Sequence, residues 1–315
     1  MIPELTPFTA KALRRLRLRH LELLHHLGSV STVRRAAELL SLSQPATTKM
    51  IQEIEDVCGT PLFLRGRRGI EPNAQGALLI RYASHVVHQI GNAGQQMQAL
   101  EKGGSVLLKI GASSTMPLLA RATARLRVQM PHLIMQVTDE PPRHFMARLM
   151  NGELDCALAP LPPETLASPD ADKLQLTHIC DDHLCVVASP THRFAKKKGL
   201  AWGDLIAEPW VMSPPAALTR RTFIDICLQE QVTPPPPAIE CVSFGSVRWL
   251  LHFDRSLLAL MRYHQARAEA EAGLIAILPV KPVVQLPPIS LITRRDTSAE
   301  PGIIDALLAA LRHTD

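Results

Sequence analysis

The sequence has no long apolar run. Its apolar stretches, such as Leu257–Met261 and Val106–Ile110 with its single Lys109, are far shorter than the ~18 uncharged residues that cross a bilayer as a helix, so no membrane partner is expected. The first residues, MIPELTPFTAKALRRLR, lack an uninterrupted apolar stretch followed by a small-residue cleavage site. A soluble, cytoplasmic protein is therefore expected. C-x-x-C pairs are absent too: Cys58, Cys156, Cys180, Cys185, Cys227 and Cys241 are scattered among apolar neighbours, which fits reduced, buried thiols. Thirteen histidines form local pairs at His25-His26 and at His85 with His88, without an H-E-x-x-H motif, so neither a metal site nor a cofactor is expected. There is no G-x-S-x-G, no G-x-G-x-x-G and no phosphate-binding loop, and no paired acids are placed at strand ends in a way that suggests general acid/base work. An α/β enzyme is thereby disfavoured.

The 315 residues that are present, 46% of them hydrophobic and 20% charged, suffice for two or three cores. Their charge is uneven. Residues 1–100 hold 12 Lys and Arg against 7 Asp and Glu, and the remaining residues hold 22 of each. The whole excess of +5 lies in the first third, as an anionic partner such as nucleic acid would require. A solvated basic surface accounts for the charge alone equally well.

Periodicity narrows this choice. Leu18, Leu21, Leu24 and Leu27 predict a helix ending before Gly28, and Thr32 caps a second helix carrying Val33, Ala36, Ala37 and Leu40. A tight Ser41-Leu42-Ser43 turn leads to a third helix, with Ser43 as its cap and Pro45 in its first turn, running to about Val57. Its exposed face is expected to begin with Gln44, Thr47, Thr48 and Lys49, short polar groups and one cation suited to base edges and phosphate. Pro61–Ile70 then reads as a hairpin whose tip carries Arg65, Arg67 and Arg68. The stretch AAELLSLSQPATTKMIQEIEDVCGTPLFLRGRRGIEPNAQG resembles the winged helix-turn-helix of LysR-type transcriptional regulators. Two departures from that pattern, Ser31 for Gly and Asn73 for Thr, are conformationally mild. The resemblance implies that Thr32, Gln44, Pro45, Thr47, Thr48, Lys49 and the three arginines contact double-stranded DNA.

After Asn73, Leu79, Ala83, Val86, Ile90, Ala93, Met97 and Leu100 alternate spacings of four and three, a heptad seam that favours a homodimer. Gly91 and Gly94 weaken this helix or permit close approach. In the resembled family such linker helices pair antiparallel, and dimers commonly form tetramers.

From Val106 short apolar runs alternate with amphipathic segments, the pattern of an α/β fold. The phrases KIGASSTMPLLARATARLRVQMPHL, LMNGELDCALAP, LCVVASPTHRFA and LAWGDLIAEPWVM are similar to the two-lobed, periplasmic-binding-protein-like effector domain of the same family. The likeness weakens at Phe253–Ala259, which lacks the family's glycine-rich turn. Ser113, Ser114 and Thr115 follow a strand and precede a helix, a natural seat for a small carboxylate or other anion, while Ser213, Ser243 and Phe244 are expected across the cleft. Helix capping explains each hydroxyl about as well. Trp202 and Trp210 read as core, Lys196-Lys197-Lys198 as a solvated loop and Pro234–Pro237 as a stiff connector.

The expected organisation is a winged helix-turn-helix over 1–72, a linker helix and hinge over 73–104 and a two-lobed effector domain over 105–315. Lobe I takes about 105–180 and 274–315, and lobe II about 181–273. The resemblance implies an effector-modulated DNA-binding regulator that engages RNA polymerase when activating. The alternative is a sequence-indifferent DNA-binding protein whose lobes serve assembly.

Overall fold

The computed structural model describes residues 13–66, 69–101, 106–161, 171–295 and 301–312. Arg67 and Arg68 lie outside the described residues, as do the side chains of Arg65 and Leu100.

Three helices open the chain: α1 (Leu18–Leu27), α2 (Val33–Leu39) and α3 (Gln44–Cys58). Each boundary has a local cause. Thr32 Oγ1 accepts the Arg35 N–H at 3.3 Å, and Ser43 Oγ accepts the Ala46 N–H at 3.3 Å, satisfying donors that the first helical turn leaves open. Gly59 closes α3 in the left-handed region, with φ +68°. The wing is an antiparallel hairpin of β1 (Phe63–Gly66) and β2 (Gly69–Pro72). Its turn end is stitched to the loop before α2, where the Ile70 N–H donates to Ser31 O at 2.9 Å. A Cβ on Gly69 would meet that same oxygen at 2.1 Å, so this turn requires glycine. Leu23, Leu24, Leu27, Ala36, Ile51, Ile54, Leu62 and Ile70 form the shared core.

Asn73 Oδ1 accepts the Gly76 N–H at 2.9 Å and starts α4 (Ala74–Glu101), the linker helix. Beyond it lie β3 (Val106–Ala112), α5 (Met116–Gln129), β4 (Leu133–Asp139), α6 (Pro142–Met150) and β5 (Cys156–Pro160). Then follow β6 (Leu174–Ala188), β7 (Leu200–Ala201), β8 (Trp210–Met212), α7 (Leu218–Gln229), β9 (Ile239–Glu240), α8 (Phe244–Phe253), β10 (Leu258–Arg262) and α9 (Tyr263–Glu271). The chain closes with β11 (Ala276–Leu278), β12 (Val280–Lys281), β13 (Val284–Arg294) and α10 (Pro301–Arg312).

One sheet runs through both lobes in the order β4-β3-β5-β13-β6-β10-β8-β9, with β11 also on β6. Parallel pairs β3–β4 and β3–β5 build the first lobe, and parallel pairs β10–β8 and β8–β9 build the second. The long antiparallel strands β6 and β13 pass between them. Helices cover both faces, so each lobe has two apolar layers. Leu108, Ile110, Leu119 and Leu307 lie on one side of lobe I, and Phe145, Leu149 and Leu154 on the other. In lobe II, Trp202, Trp210 and Phe223 form one layer and Val187, Val247, Leu251 and Met261 the other. Both tryptophans are buried, as their sequence context suggests.

Three expectations change. The strand expected at Leu184–Ala188 begins at Leu174, because its polar first half finds partners along β13 at the lobe junction. The polar segment 263–271, unassigned from sequence, is helix α9. The return to lobe I, expected from residue 274, comes later: β11 pairs with β6 at 186–188, and Leu278, Val280 and Leu286 sit in the lobe II core.

Candidate nucleic-acid interface and effector cleft

At the start of α3, Gln44, Pro45 and Lys49 are exposed and Thr48 is half-buried. Thr47 is not on this face. It is fully buried, in line with Ile51 and Ile54, and its Oγ1 donates to Ser43 O at 3.1 Å. A threonine one turn before two core isoleucines shares their helical face, so the expectation for Thr47 is corrected. Thr32 is exposed beside this end, with its hydroxyl engaged as a cap.

Sequence reasoning missed Glu55, whose Oε1 accepts the N–H groups of Leu62 and Phe63 at 2.7 and 3.2 Å. That carboxylate ties the recognition helix to the entrance of the wing, so the two move together. It also left unassigned Arg14, Arg15, Arg17 and Arg19, all exposed ahead of or early in α1. The regional charge excess was their signal. On α2, by contrast, Arg34 and Arg35 both pair with Glu38.

The seam on α4 splits. Ala83 is buried and Leu79 packs against the winged-unit core, because the first turns of α4 roof that core. Val86, Ile90, Ala93 and Met97 remain exposed, joined by Leu78 and Tyr82. Leu79 and Ala83 are therefore corrected from partner contacts to intramolecular packing. The free stripe is Leu78, Tyr82, Val86, Ile90, Ala93 and Met97. Gly91 and Gly94 have open space where a Cβ would stand.

The loop after β3 is more occupied than expected. The Ser113 N–H donates to Leu158 O at 3.2 Å, and buried Thr115 donates through Oγ1 to the same oxygen at 2.8 Å. Ser114 adopts φ +56°, an uncommon conformation for a residue with a Cβ. Its N–H bonds to the Asp139 carboxyl, which burial pushes above the usual carboxylate range and this bond partly restores. Neither Thr115 nor Ser243 caps its helix through the side chain. Thr115 is corrected to a structural role, since its only hydroxyl hydrogen is spent inside the lobe.

His264 reaches the Ser114 carbonyl through Nε2, and its Nδ1 lies 2.9 Å from Asp182 Oδ2. Arg262 Nε donates to the same carboxylate at 2.6 Å, and its Nη2 donates to Pro287 O at 2.7 Å. Burial pushes Asp182 up, but the bond from His264 and the charges of Arg262 and His264 outweigh it and leave the carboxyl below its ordinary range. This buried cluster fastens lobe II to the Ser114 turn of lobe I.

Across the cleft, Ser213 Oγ accepts from Thr219 at 3.4 Å and its carbonyl from Arg220 at 3.1 Å. Ser243 is exposed, whereas Phe244 packs partly into the outer core of lobe II. At the lobe junction, a cavity of about 380 Å3 is lined by residues that include Pro117, Leu118, Tyr263 and His264. Among the described residues no group of three or more His, Cys, Asp or Glu is arranged to hold a metal ion, and no helix is long and apolar enough to cross a membrane.

Residues 18–77 match the bacterial regulatory helix-turn-helix protein, lysR family, and residues 101–314 match the LysR substrate binding domain. The regulator GbpR of Azospirillum brasilense is 29% identical over 301 residues, covering 95% of this chain and 86% of that protein. The uncharacterised regulator YdcI of Escherichia coli K12 is 26% identical, with 92% and 93% covered. Full-length OxyR from Pseudomonas aeruginosa superposes with a TM-score of 0.63 at 19% identity, covering 95% of this chain and 98% of that one. CbnR in complex with its target DNA gives 0.60 at 17% identity, with 94% and 99% covered. With a family domain matched over each of its two parts, this chain belongs to the LysR family of DNA-binding transcriptional regulators.

Proposed function

We infer that the protein reads a DNA site through Gln44, Thr48 and Lys49 while the wing arginines hold flanking phosphates, and that a small molecule between the lobes modulates this binding. The observation that carries the reading is the exposed polar start of α3, rigidly joined through Glu55 to the wing and standing in the basic third of the chain. That geometry supplies base contact and backbone contact from one unit. The chain performs no catalytic step; its output is occupancy of a promoter, with RNA polymerase the partner when it activates. It acts in the cytoplasm.

The functional unit is a homodimer paired along the exposed stripe of α4, or a homotetramer built from such dimers. The effector is a small carboxylate or related anion. Since Asp139 already holds the Ser114 N–H, the ligand anion seats on the first-turn N–H groups of α5, which lack intrahelical partners, with the Ser113 and Ser114 hydroxyls beside it. Ser213 and Ser243 complete the contact from lobe II. DNA footprinting on regions upstream of neighbouring or divergent genes, repeated with a thermal-shift panel of small carboxylates, sulfonates and neutral polyols, tests both halves. A discrete footprint and a shift confined to anions are expected. Uniform protection of any DNA would instead favour a sequence-indifferent binder.

A further inference from the structure

The two histidine pairs of the sequence, sixty residues apart, meet where the winged unit and linker helix pack on lobe I. The His25 and His88 rings lie 5.0 Å apart, edge to face, and the His25 and His26 rings lie 5.2 Å apart. A cavity of about 500 Å3 between α1, α4 and α6 adjoins them, so direct contact across the junction is concentrated at the turn after α6. There Asn92 Nδ2 donates to Gly152 O at 3.1 Å. Gly152 has φ +73°, and a Cβ on it would stand 2.7 Å from Gln89 Nε2 and 3.1 Å from the His85 ring. Backbone and linker helix approach as closely as glycine allows.

Arg294, 3% exposed, reaches this point from β13. Its Nη1 donates to Leu149 O at 3.1 Å and to His85 Nε2 at 2.8 Å. A guanidinium has hydrogens and no acceptor, so His85 Nε2 must accept. Gln89 Nε2, at 3.3 Å, points at the same nitrogen. This bond requires the neutral ring, protonated on Nδ1.

We propose that His85 is a proton-sensitive latch that holds the winged unit and linker helix against lobe I when neutral and releases them when protonated. Protonation places a hydrogen on Nε2, removes the acceptor and sets two cations face to face. Unperturbed imidazoles titrate at about 6.5. Docking binds the unprotonated form, so it is intact above that pH and weakens as pH falls below it.

The charges around the latch pull in both directions. On the helical side, Arg81 lies one turn before His85, and burial, then His88 and His26, push His25 down against an upward pull from Glu153. On the lobe side, the Glu153 carboxylate opposes this with its negative charge, its Oε1 standing 4.0 Å from His88 Nε2. That opposing contribution is shared, because Glu153 also pairs with Arg148 at 3.2 Å. Asp155 faces Arg294 and offsets part of its charge, but not the hydrogen that His85 must accept. Lys109 Nζ donates to Asn92 Oδ1 at 2.7 Å, a contact that involves no histidine, so acid loosens the junction around a retained pivot.

Amide exchange of residues 149–154 in the full chain, corrected for the intrinsic effect of pH, tests the latch. Between about pH 7.5 and about pH 5.5 the wild type should lose protection roughly ten-fold there, on the scale of local opening. His85→Gln, whose amide oxygen accepts the bond and takes no proton, should keep protection at both values, and His85→Arg should lack it at both. The double variant His25→Gln, His88→Gln should retain the wild-type fall. Should His85→Gln fail to fold, Arg294→Gln removes the facing charge and should flatten the pH response from the other side. Unchanged protection in the wild type, a fall persisting in His85→Gln or Arg294→Gln, or one abolished by the His25 and His88 substitutions would each overturn the latch. The result does not depend on whether an effector binds the cleft.

Discussion

Gln44 and Thr47 stand three positions apart on α3 and have opposite fates. Gln44 is exposed, and its removal should cost about 1–3 kcal/mol on the cognate site and much less on random DNA. Competition binding reads the difference, and equal losses on both DNAs would count against base contact. Thr47 is buried with its hydroxyl bonded to Ser43 O. Thr47→Val should therefore lower stability by about 1 kcal/mol in a denaturant titration while leaving site preference intact. The same distinction between surface and interior governs Asp182. Its folded carboxyl titrates below its ordinary value, so its contribution to stability is present above that ordinary value and is lost as pH falls through the folded one. Arg262→Leu leaves this buried carboxylate without its cation and should cost about 3–5 kcal/mol near neutrality. In parallel melts the gap from wild type should narrow toward acid, where Asp182 is neutral in both proteins. A gap independent of pH would mean that Arg262 acts through packing.

Elements were legible wherever one periodic face met one core. The three helices, their caps, the wing and the strands of lobe I follow from apolar spacing together with Thr32, Ser43 and Pro45, all local signals. What stayed hidden depends on partners distant in the chain. The first half of β6 carries Thr177, His178, Asp181 and Asp182, a polar run that becomes a strand only because β13 and the Arg262–His264 pair lie beside it. Helix α9 was missed because its buried residues, His264, Gln265 and Ala266, include two polar ones. On α4 the heptad spacing located the helix but not its free face, since Leu79 and Ala83 fit both a partner and the winged-unit core. The cleft shows the same limit: Ser113–Thr115 are where expected, yet Leu158 and Asp139 had already claimed two of that turn's N–H groups. The two fates of α4 predict different phenotypes. Ile90→Glu and Tyr82→Glu, on the exposed stripe, should give a species of lower mass in sedimentation with an unchanged melting temperature. Ala83→Glu should instead unfold the winged unit, because its side chain would enter a core that includes Leu24 and Ile54. A full-mass oligomer from both stripe variants would move the dimer contact to the two-lobed domain.

At the scale of the whole molecule, charge and architecture divide at the same place. The excess of +5 belongs to residues 1–100, whereas the remainder, with 22 charges of each sign, is electrically balanced. Lobe cohesion rests on apolar layers and on buried bonds such as Arg262–Asp182, which salt screens weakly. DNA binding rests on exposed cations, where each phosphate neutralised releases counterions to the solution. The two activities should consequently separate under ionic strength. Contact with 6–10 phosphates by a dimer would lower operator affinity by about 10³–10⁵ between roughly 50 and 200 mM salt, read by fluorescence anisotropy. Over the same range the melting temperature of the unliganded chain should change little. Substituting Arg65 or one of its wing neighbours by Gln should reduce the salt slope by about 1 for each phosphate no longer neutralised, with sequence preference retained. A shallow slope in the wild type would place the excess charge in ordinary solvation. If all three wing substitutions left the slope untouched, the phosphate contacts would have to come from Lys49 and the arginines ahead of α1, and the hairpin would be a brace for the recognition helix.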